Sequence, residues 1–351
     1  MKHYLVLRFL TALALGNAGT ALAQSCVHPP ETPNPYQVVL PLQGTITVGA
    51  DVPVGTEIYT SQHQSGSAAF IRCTGGPGVV RRTHDYLGSP GRPSAVPGVY
   101  ERSIPGVGIA MWFAGGKFPT SPVLITLTGS TLSVNFSKYV DFSLYKIGPI
   151  SPGVLQGGSL PRARSYTEGA GSINVWESQI VGQLNIVAGT CRVADVTVPL
   201  GNYRQRDFNA IGRVSGWRDY AVELSGCPAF FGLKAAYSRS DSGTIEVPGR
   251  RVDNRIGIRL DPSTPILDAA RSIMAVQGTP GNRAAQGIGI QVAGPADSSF
   301  GFGAFRDSGL TLTTTANGRY SIPLRARYIQ MEDRVRPGPA NGAMVVTLRY
   351  E

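Results

Sequence analysis

Short runs of alternating apolar and polar residues, separated by turn residues, dominate this sequence. Examples are residues 44–48, 124–128, 131–136 and 288–292. Because successive side chains of a strand point to opposite faces, such runs predict strands with one buried face. Gly occurs 44 times and Pro 26 times, which divides the chain into short elements. The sequence therefore predicts an all-β protein.

One stretch favours a helix instead. In residues 266–276, the side chains of Ile266, Ala269, Ala270 and Met274 would share a helical face. The stretch is short, so we expect a single helix that crosses between two strands.

The first residues are typical of a secretory signal peptide. Lys2 and Arg8 precede the apolar run 9–15, and the small-residue site 21–23 predicts cleavage before Gln24. The apolar run is too short to span a bilayer, and no later run reaches the roughly 18 apolar residues of a membrane helix. We expect an exported, soluble protein.

The length that remains suits two domains of about 100 to 200 residues each. We place the first domain at residues 24–180 and the second domain at 181–351, with residues 181–188 as the first strand of the second domain. The stretch 74–98 is dense in Gly and Pro and predicts a long surface loop within the first domain.

Four cysteines in an exported chain predict two disulfides, because the compartment outside the inner membrane is oxidising. Sequence alone allows three pairings. The order along the chain favours one bridge in each half, Cys26 with Cys73 and Cys191 with Cys227. No CxxC motif occurs and no histidine lies near the second pair, which argues against zinc.

The net charge of +10 comes mostly from scattered arginines. No run of five or six like charges indicates a nucleic-acid tail, so we expect no nucleic-acid partner. A solvated basic surface is the simplest interpretation, and attraction to acidic polysaccharide or membrane surfaces is the alternative.

No motif indicates catalysis or a cofactor. The Asp-Ser-Gly sequences in 240–243 and 306–309 lack the glycine pattern of a nucleophile site, and 287–289 lacks the other positions of a phosphate loop. No spacing singles out a glycosidase pair among the acidic residues of the first half. The residues considered were His28, His63 and His84 as bases, and Asp51, Glu57, Asp85, Glu101 and Asp141 as carboxylates.

The second half resembles the pilin domains of chaperone-usher fimbriae. The resemblance rests on three segments in the family's order: GTCRVADVTVPLG at 189–201, WRDYAVELSGCP at 217–228, and the closing segment 318–351 with its penultimate tyrosine. It implies an incomplete immunoglobulin-like sandwich that lacks its last strand. A strand of another protein would then complete it by β-augmentation.

The resemblance implies that the closing strand has a role in assembly. Its apolar face would form the wall of an open groove that binds first a periplasmic chaperone and later the next pilus subunit, after passage through an outer-membrane usher. An open apolar groove favours aggregation, so the lone subunit should need that chaperone. The residues assigned to this groove are Met344, Val346, Leu348, Tyr350 and Glu351.

The first half resembles the lectin-like receptor-binding domains of fimbrial tip adhesins, in segments 44–59, 100–113 and 140–150. Cys26 follows the predicted cleavage by two residues, so we expect no donor strand and a position at the fibre tip. The predicted loop supplies the aromatic and polar residue types of a glycan site. The candidate ligand residues are Arg81, Arg82, His84, Asp85 and Tyr86.

The sequence thus predicts two β-sandwich domains in series, forming a tip adhesin at the cell surface that binds a host or surface receptor, most simply a glycan. One alternative is a tip or adaptor subunit that binds no receptor and only initiates pilus assembly. A second is a secreted glycan-processing enzyme with a β-sandwich appendage.

Overall fold

A computed structural model describes residues 25–31, 34–61, 69–74, 78–113, 115–127, 132–134, 140–168, 172–234 and 251–351. The predicted signal peptide and the sequence 240–243 lie outside these ranges. Within them the chain forms strands, and none of its helical turns has the length and hydropathy of a membrane span. The all-β prediction is confirmed. The short 3-10 turns are Gly157–Ser159, Gln205–Asp207 and Pro295–Asp297.

The first half folds as a β-sandwich. One sheet has the strand order β10-β6-β14-β15-β13, with β2 and β3 also paired to β15, and the facing sheet has the order β4-β12-β8-β7 with β9 on β8. A small third sheet has the order β1-β5-β11. The strands are β1 (Ser25–Val27), β2 (Tyr36–Leu42), β3 (Thr45–Val48), β4 (Glu57–Thr60), β5 (Ala69–Thr74), β6 (Gly78–Leu87), β7 (Tyr100–Glu101), β8 (Val107–Phe113), β9 (Gly116–Lys117), β10 (Val123–Leu127), β11 (Leu132–Val134), β12 (Val140–Lys146), β13 (Gly153–Gln156), β14 (Arg162–Glu168) and β15 (Asn174–Ala188).

The core of this sandwich lies between its two larger sheets. Ile58, Phe142 and Trp176 are fully buried there and come from three different strands. Every residue of β12 is buried, because this strand lies between β4 and β8 in the middle of its sheet. Apolar burial of this extent is the main stabilising contribution to the domain.

The strand β15 runs past residue 180, where the sequence pattern placed the domain boundary. β15 is continuous through that position, and its residues 181–188 pair with β2, β3 and β13 of the first half. The alternating residues 181–188 therefore form the second part of β15 and not a new first strand. We propose to place the boundary after Ala188.

The second half forms another sandwich with a separate core. One sheet has the order β16-β17-β23-β21-β20-β19, and the facing sheet has the order β22-β18-β24. The strands are β16 (Arg192–Val193), β17 (Arg218–Cys227), β18 (Ile256–Pro262), β19 (Ile266–Asp268), β20 (Ile273–Ala275), β21 (Ile288–Ala293), β22 (Arg306–Asp307), β23 (Gly318–Gln330) and β24 (Met344–Tyr350).

The predicted helix at 266–276 is wrong, because this stretch is the hairpin of β19 and β20. Asp268 accepts hydrogen bonds from the main-chain and side-chain N–H groups of Arg271, which closes the turn. Ser272 then has a positive φ of 55°, which interrupts a right-handed helix. Of the four residues that would have shared a helical face, Ile266 and Met274 instead lie on the paired strands that extend the sheet of β21, and Ala269 and Ala270 lie in the turn.

Both predicted disulfides are confirmed. Cys26 is bonded to Cys73 on the paired strands β1 and β5, and Cys191 is bonded to Cys227 at the start of the second sandwich. Each bridge therefore lies within one domain.

A short arm of the second half reaches back to the first domain. It consists of residues 229–234, which follow the second disulfide. Leu233 is buried in the core of the first domain, and the N–H of Thr60 donates to the carbonyl of Lys234 at 2.9 Å. The two domains are thus joined by main-chain pairing as well as by the linker.

Candidate functional site

A long groove opens along one side of the second sandwich. Residues 193–205 form one wall and residues 335–346 form the other, and the inner faces of β17, β23 and β21 form the floor. The groove has a volume of about 1280 Å³. Small-molecule pockets measure roughly 300–1,000 Å³, so this site has the size and shape for a polypeptide segment.

The walls of the groove have unpaired main-chain edges. β24 pairs with β18 on one side, and no strand among the described residues pairs with its other side along the groove. Residues 194–203 line the opposite rim without regular secondary structure and make no main-chain hydrogen bond within the described part of the chain. Two unpaired edges that face a common cleft are a site for strand addition.

The floor of the groove is apolar and only partly covered. Val222, Ile290 and Leu324 belong to the buried core beneath it. Val198, Met344 and Val346 pack against this core from the walls but remain half-buried. An inserted strand with apolar side chains at alternate positions would cover these residues and remove their apolar surface from water.

The residues predicted for this groove have different roles. Met344, Val346 and Leu348 lie on the half-buried apolar face of β24 as expected. Tyr350 is 5% exposed, and its hydroxyl accepts a hydrogen bond from the N–H of Cys191 at 3.1 Å. The main-chain N–H of Glu351 donates to the carbonyl of Arg255 at 3.0 Å. The Tyr350 hydroxyl and the Glu351 N–H therefore attach the end of the strand to its own domain.

The five candidate ligand residues lie on a strand rather than on the predicted surface loop. All five belong to β6, which is paired on both sides, with β10 and with β14. Because side chains alternate along a strand, Arg82, His84 and Tyr86 point to one face and Arg81 and Asp85 to the other.

Two of these residues belong to the core of the first domain. The imidazole of His84 is fully buried and stacks on Phe113 with ring centroids 3.7 Å apart. Burial, and secondly the charge of Arg82, lower the pKa of His84 to about 3. The hydroxyl of Tyr86 accepts a hydrogen bond from the N–H of Met111, and burial raises its pKa to about 12.

The outward side of β6 is a sheet face with internal ion pairs. Arg81 pairs with Glu168 at 2.8 Å, and Thr83 donates a hydrogen bond to the same carboxylate. Asp85 lies opposite Arg164 in register, and the Arg164 guanidinium stacks on Tyr166 at 4.4 Å. Ligand contact by Arg81, Arg82 and Asp85 stays a prediction, whereas His84 and Tyr86 are not accessible.

The sequence predicted one wall of the groove but not the other wall or the floor. It identified β24 by its alternation, but residues 194–203 have no regular pattern because Pro199 and Gly201 interrupt them. The alternation of Ile322, Leu324 and Ala326 in β23 could have indicated the floor.

The chain matches no protein-family model. Among curated proteins it is similar to the fimbrial subunit type 1 of Salmonella typhimurium, with 24% identity over 173 residues, which cover 47% of this chain and 78% of that protein.

Among solved structures, the fold is similar to the receptor-binding domain of the adhesin MrkD1P of Klebsiella pneumoniae (18% identity, TM-score 0.37, covering 49% of this chain and 99% of that one). It is also similar to the CupB6 tip adhesin of Pseudomonas aeruginosa (14%, 0.33, covering 93% and 94%). The predicted similarity to chaperone-usher fimbrial subunits and tip adhesins is confirmed.

Proposed function

We propose that this chain is a pilus tip adhesin, in which the first domain binds a receptor and the second anchors the chain to the fibre. The observation that supports it best is the groove between β24 and residues 194–203, with its two unpaired edges and its half-buried apolar floor. Such a groove accepts a strand, which gives the second domain a completed sandwich.

The partners follow from this anchoring. A periplasmic chaperone would cover the groove first, an outer-membrane usher would export the complex, and the next pilus subunit would supply the permanent strand. Residues 25–27 are already paired with β5 inside the first domain, so this stretch does not serve as a strand for a neighbour. The first domain would face outward and bind a host or surface receptor, most simply a glycan. No step of this function requires catalysis.

Two variants of β24 test the proposal. Val346→Glu places a charge on the apolar face of β24, which lines the groove. Thr347→Glu places the same charge on the other face of β24, where residue 347 is paired in register with Arg259 of β18. We expect Val346→Glu to lose co-purification with the chaperone and incorporation into pili at least tenfold, because an inserted strand would bury the new carboxylate. Thr347→Glu should retain both.

The same strains separate adhesin from adaptor. Pili that carry the parental chain are screened against glycans and matrix proteins, with the Val346→Glu strain as the control that lacks the tip subunit. Binding that disappears with Val346→Glu supports the adhesin. Normal pili that bind nothing in the panel would support the adaptor, and normal incorporation of Val346→Glu would contradict strand acceptance.

A further inference from the structure

One end of the groove is rich in arginine. Arg204 lies on one wall and Arg336 on the other, and both line the groove. The side-chain amide of Gln205 donates to the carbonyl of Val335 at 2.7 Å, which brings these two stretches of wall together at the same end. Arg204 and Arg336 are therefore the chain neighbours of this contact, on facing walls at the same end of the groove.

The main-chain N–H groups of these arginines are bonded within the domain, that of Arg204 to the Asp207 carboxylate and that of Arg336 to the carbonyl of Gln286, but their guanidinium groups form no ion pair among the described residues. Both side chains are exposed, and neither forms an ion pair in the part of the chain that the structure describes. Elsewhere in the same domain arginines are commonly paired, as Arg325 is with Asp219 and Asp297. The charges of Arg204 and Arg336 are thus available to a molecule in the groove.

The segments around these two arginines also carry a net positive charge. The stretches 204–213, 283–287 and 331–336 contain six arginines against three acidic residues. They lie together, because the N–H of Arg336 donates to the carbonyl of Gln286 and the N–H of Gly212 donates to the carbonyl of Gln330. At the other end of the groove, the charged residue in the lining is the exposed Asp195. The groove therefore has an electrical polarity along its length.

We propose that the strand that fills this groove is apolar at alternate positions and carries acidic side chains at the end that lies between Arg204 and Arg336. This inference rests on the proposed function and adds the chemistry of the partner. The apolar positions cover the floor, and the acidic end gives one direction of insertion a lower free energy than the other.

Synthetic peptides of 12 residues and the full chain test this inference. All have the same alternating Val and Ile positions and blocked termini, and they differ at four positions, two at each end. One peptide has two Glu at the amino end and two Gln at the carboxyl end, the second has the reverse arrangement, and the third has Gln at all four positions. Binding is measured by fluorescence anisotropy at low salt. We expect one of the two acidic peptides to bind about tenfold more tightly than the Gln peptide, the effect of two exposed ion pairs.

Matched arginine variants locate the effect. In the double variant Arg204→Gln and Arg336→Gln, the acidic peptide should lose its advantage while the Gln peptide binds as before. Arg319→Gln, an exposed arginine that does not line the groove, should change neither affinity. Higher salt should reduce the advantage, since exposed charges are screened.

The outcomes distinguish the two proposals. Equal binding of all three peptides, or an acidic advantage that survives in the double variant, would overturn the inference about charge and leave strand acceptance standing. Binding of none of the peptides would count against strand acceptance itself, and the inference about charge would fall with it.

Discussion

His84 was predicted to contact a ligand, but its position in the structure ties it to the stability of the first domain. Its imidazole lies between the sheets, stacked on Phe113, and its Nδ1 is 3.2 Å from the hydroxyl of Thr120. Burial lowers its pKa to about 3, against about 6.5 in an unfolded chain. As the pH falls below about 6.5, the unfolded chain therefore binds a proton that the folded chain does not, and folding stability decreases.

We predict that this histidine makes the first domain sensitive to acid. Between pH 6 and pH 4 it should contribute a slope of about 1 kcal/mol per pH unit to the free energy of unfolding. His84→Phe keeps an aromatic ring and removes the titration, so the slope should become shallower by that amount. Urea unfolding of both proteins at pH 4, 5, 6 and 7 measures it. Parallel pH profiles would contradict the assignment.

The sequence misplaced this residue for a physical reason. Arg82, His84 and Tyr86 alternate with Arg81 and Asp85, but both sets are polar, so hydrophobic alternation did not indicate a strand. Burial of the inward set depends on rings from β8 and β15, which are distant in the sequence. The aromatic and charged composition of residues 81–86 resembled that of a binding loop. Only pairing and packing with strands that are distant in the sequence distinguish a buried strand from such a loop.

At the scale of elements, β15 joins two partner strands through one glycine. Residues 176–182 pair with β2 and residues 185–188 pair with β3. The change occurs at Gly182, which has a φ of +91° and whose added Cβ would lie 2.5 Å from the carbonyl oxygen of Leu42. Only glycine fits such a position without strain.

Gly182→Ala should therefore destabilise the first domain by at least about 2 kcal/mol, from the positive φ and the contact together. Gly158→Ala is the matched control, because Gly158 has open space around it and an ordinary φ. Its effect should stay within about 0.5 kcal/mol. Chemical denaturation gives both values, and equal effects of the two variants would show that the strand tolerates a side chain at the crossover.

Alternation predicted β3, β10, β11, β21 and β24, but it did not predict where strands end. The helix expected at 266–276 and the boundary expected near residue 180 both depended on local pattern. In the structure, a turn closed by Asp268 replaces the helix, and pairing with β3 and β13 extends β15 to Ala188. Long-range pairing overrides local preference in such short apolar runs.

At the scale of the whole molecule, the two domains are joined at a second place beside the arm of residues 229–234. The N–H of Tyr350 donates to the Asp51 carboxylate at 2.8 Å, and the N–H of Asp51 donates to the carbonyl of Tyr350 at 3.1 Å. The Lys146 ammonium donates to the carbonyls of Gly49 and Ala50, which holds this loop of the first domain in place. The strand that forms one wall of the groove therefore ends against the first domain.

Thr47 allows a test of this coupling. Its hydroxyl is buried, donates to the carbonyl of Ala229 at 2.7 Å and accepts from the N–H of Phe231 at 2.9 Å, so both bonds cross from one domain to the other. Thr47→Val has almost the same shape and leaves both partners unsatisfied, which should weaken docking by about 1–3 kcal/mol. Thr45→Val, a half-buried position on the same strand, is the matched control.

We expect the parental chain and the Thr45→Val variant to unfold in one calorimetric transition, because docking lets each domain stabilise the other. In Thr47→Val the transition should separate into two. The midpoint temperature should fall more for the domain that depends more on its neighbour for stability. Identical thermograms for the two threonine variants would mean that the domains fold independently. In that case the hydrogen bonds across the interface would position the domains without coupling the stability of the groove to that of the first domain.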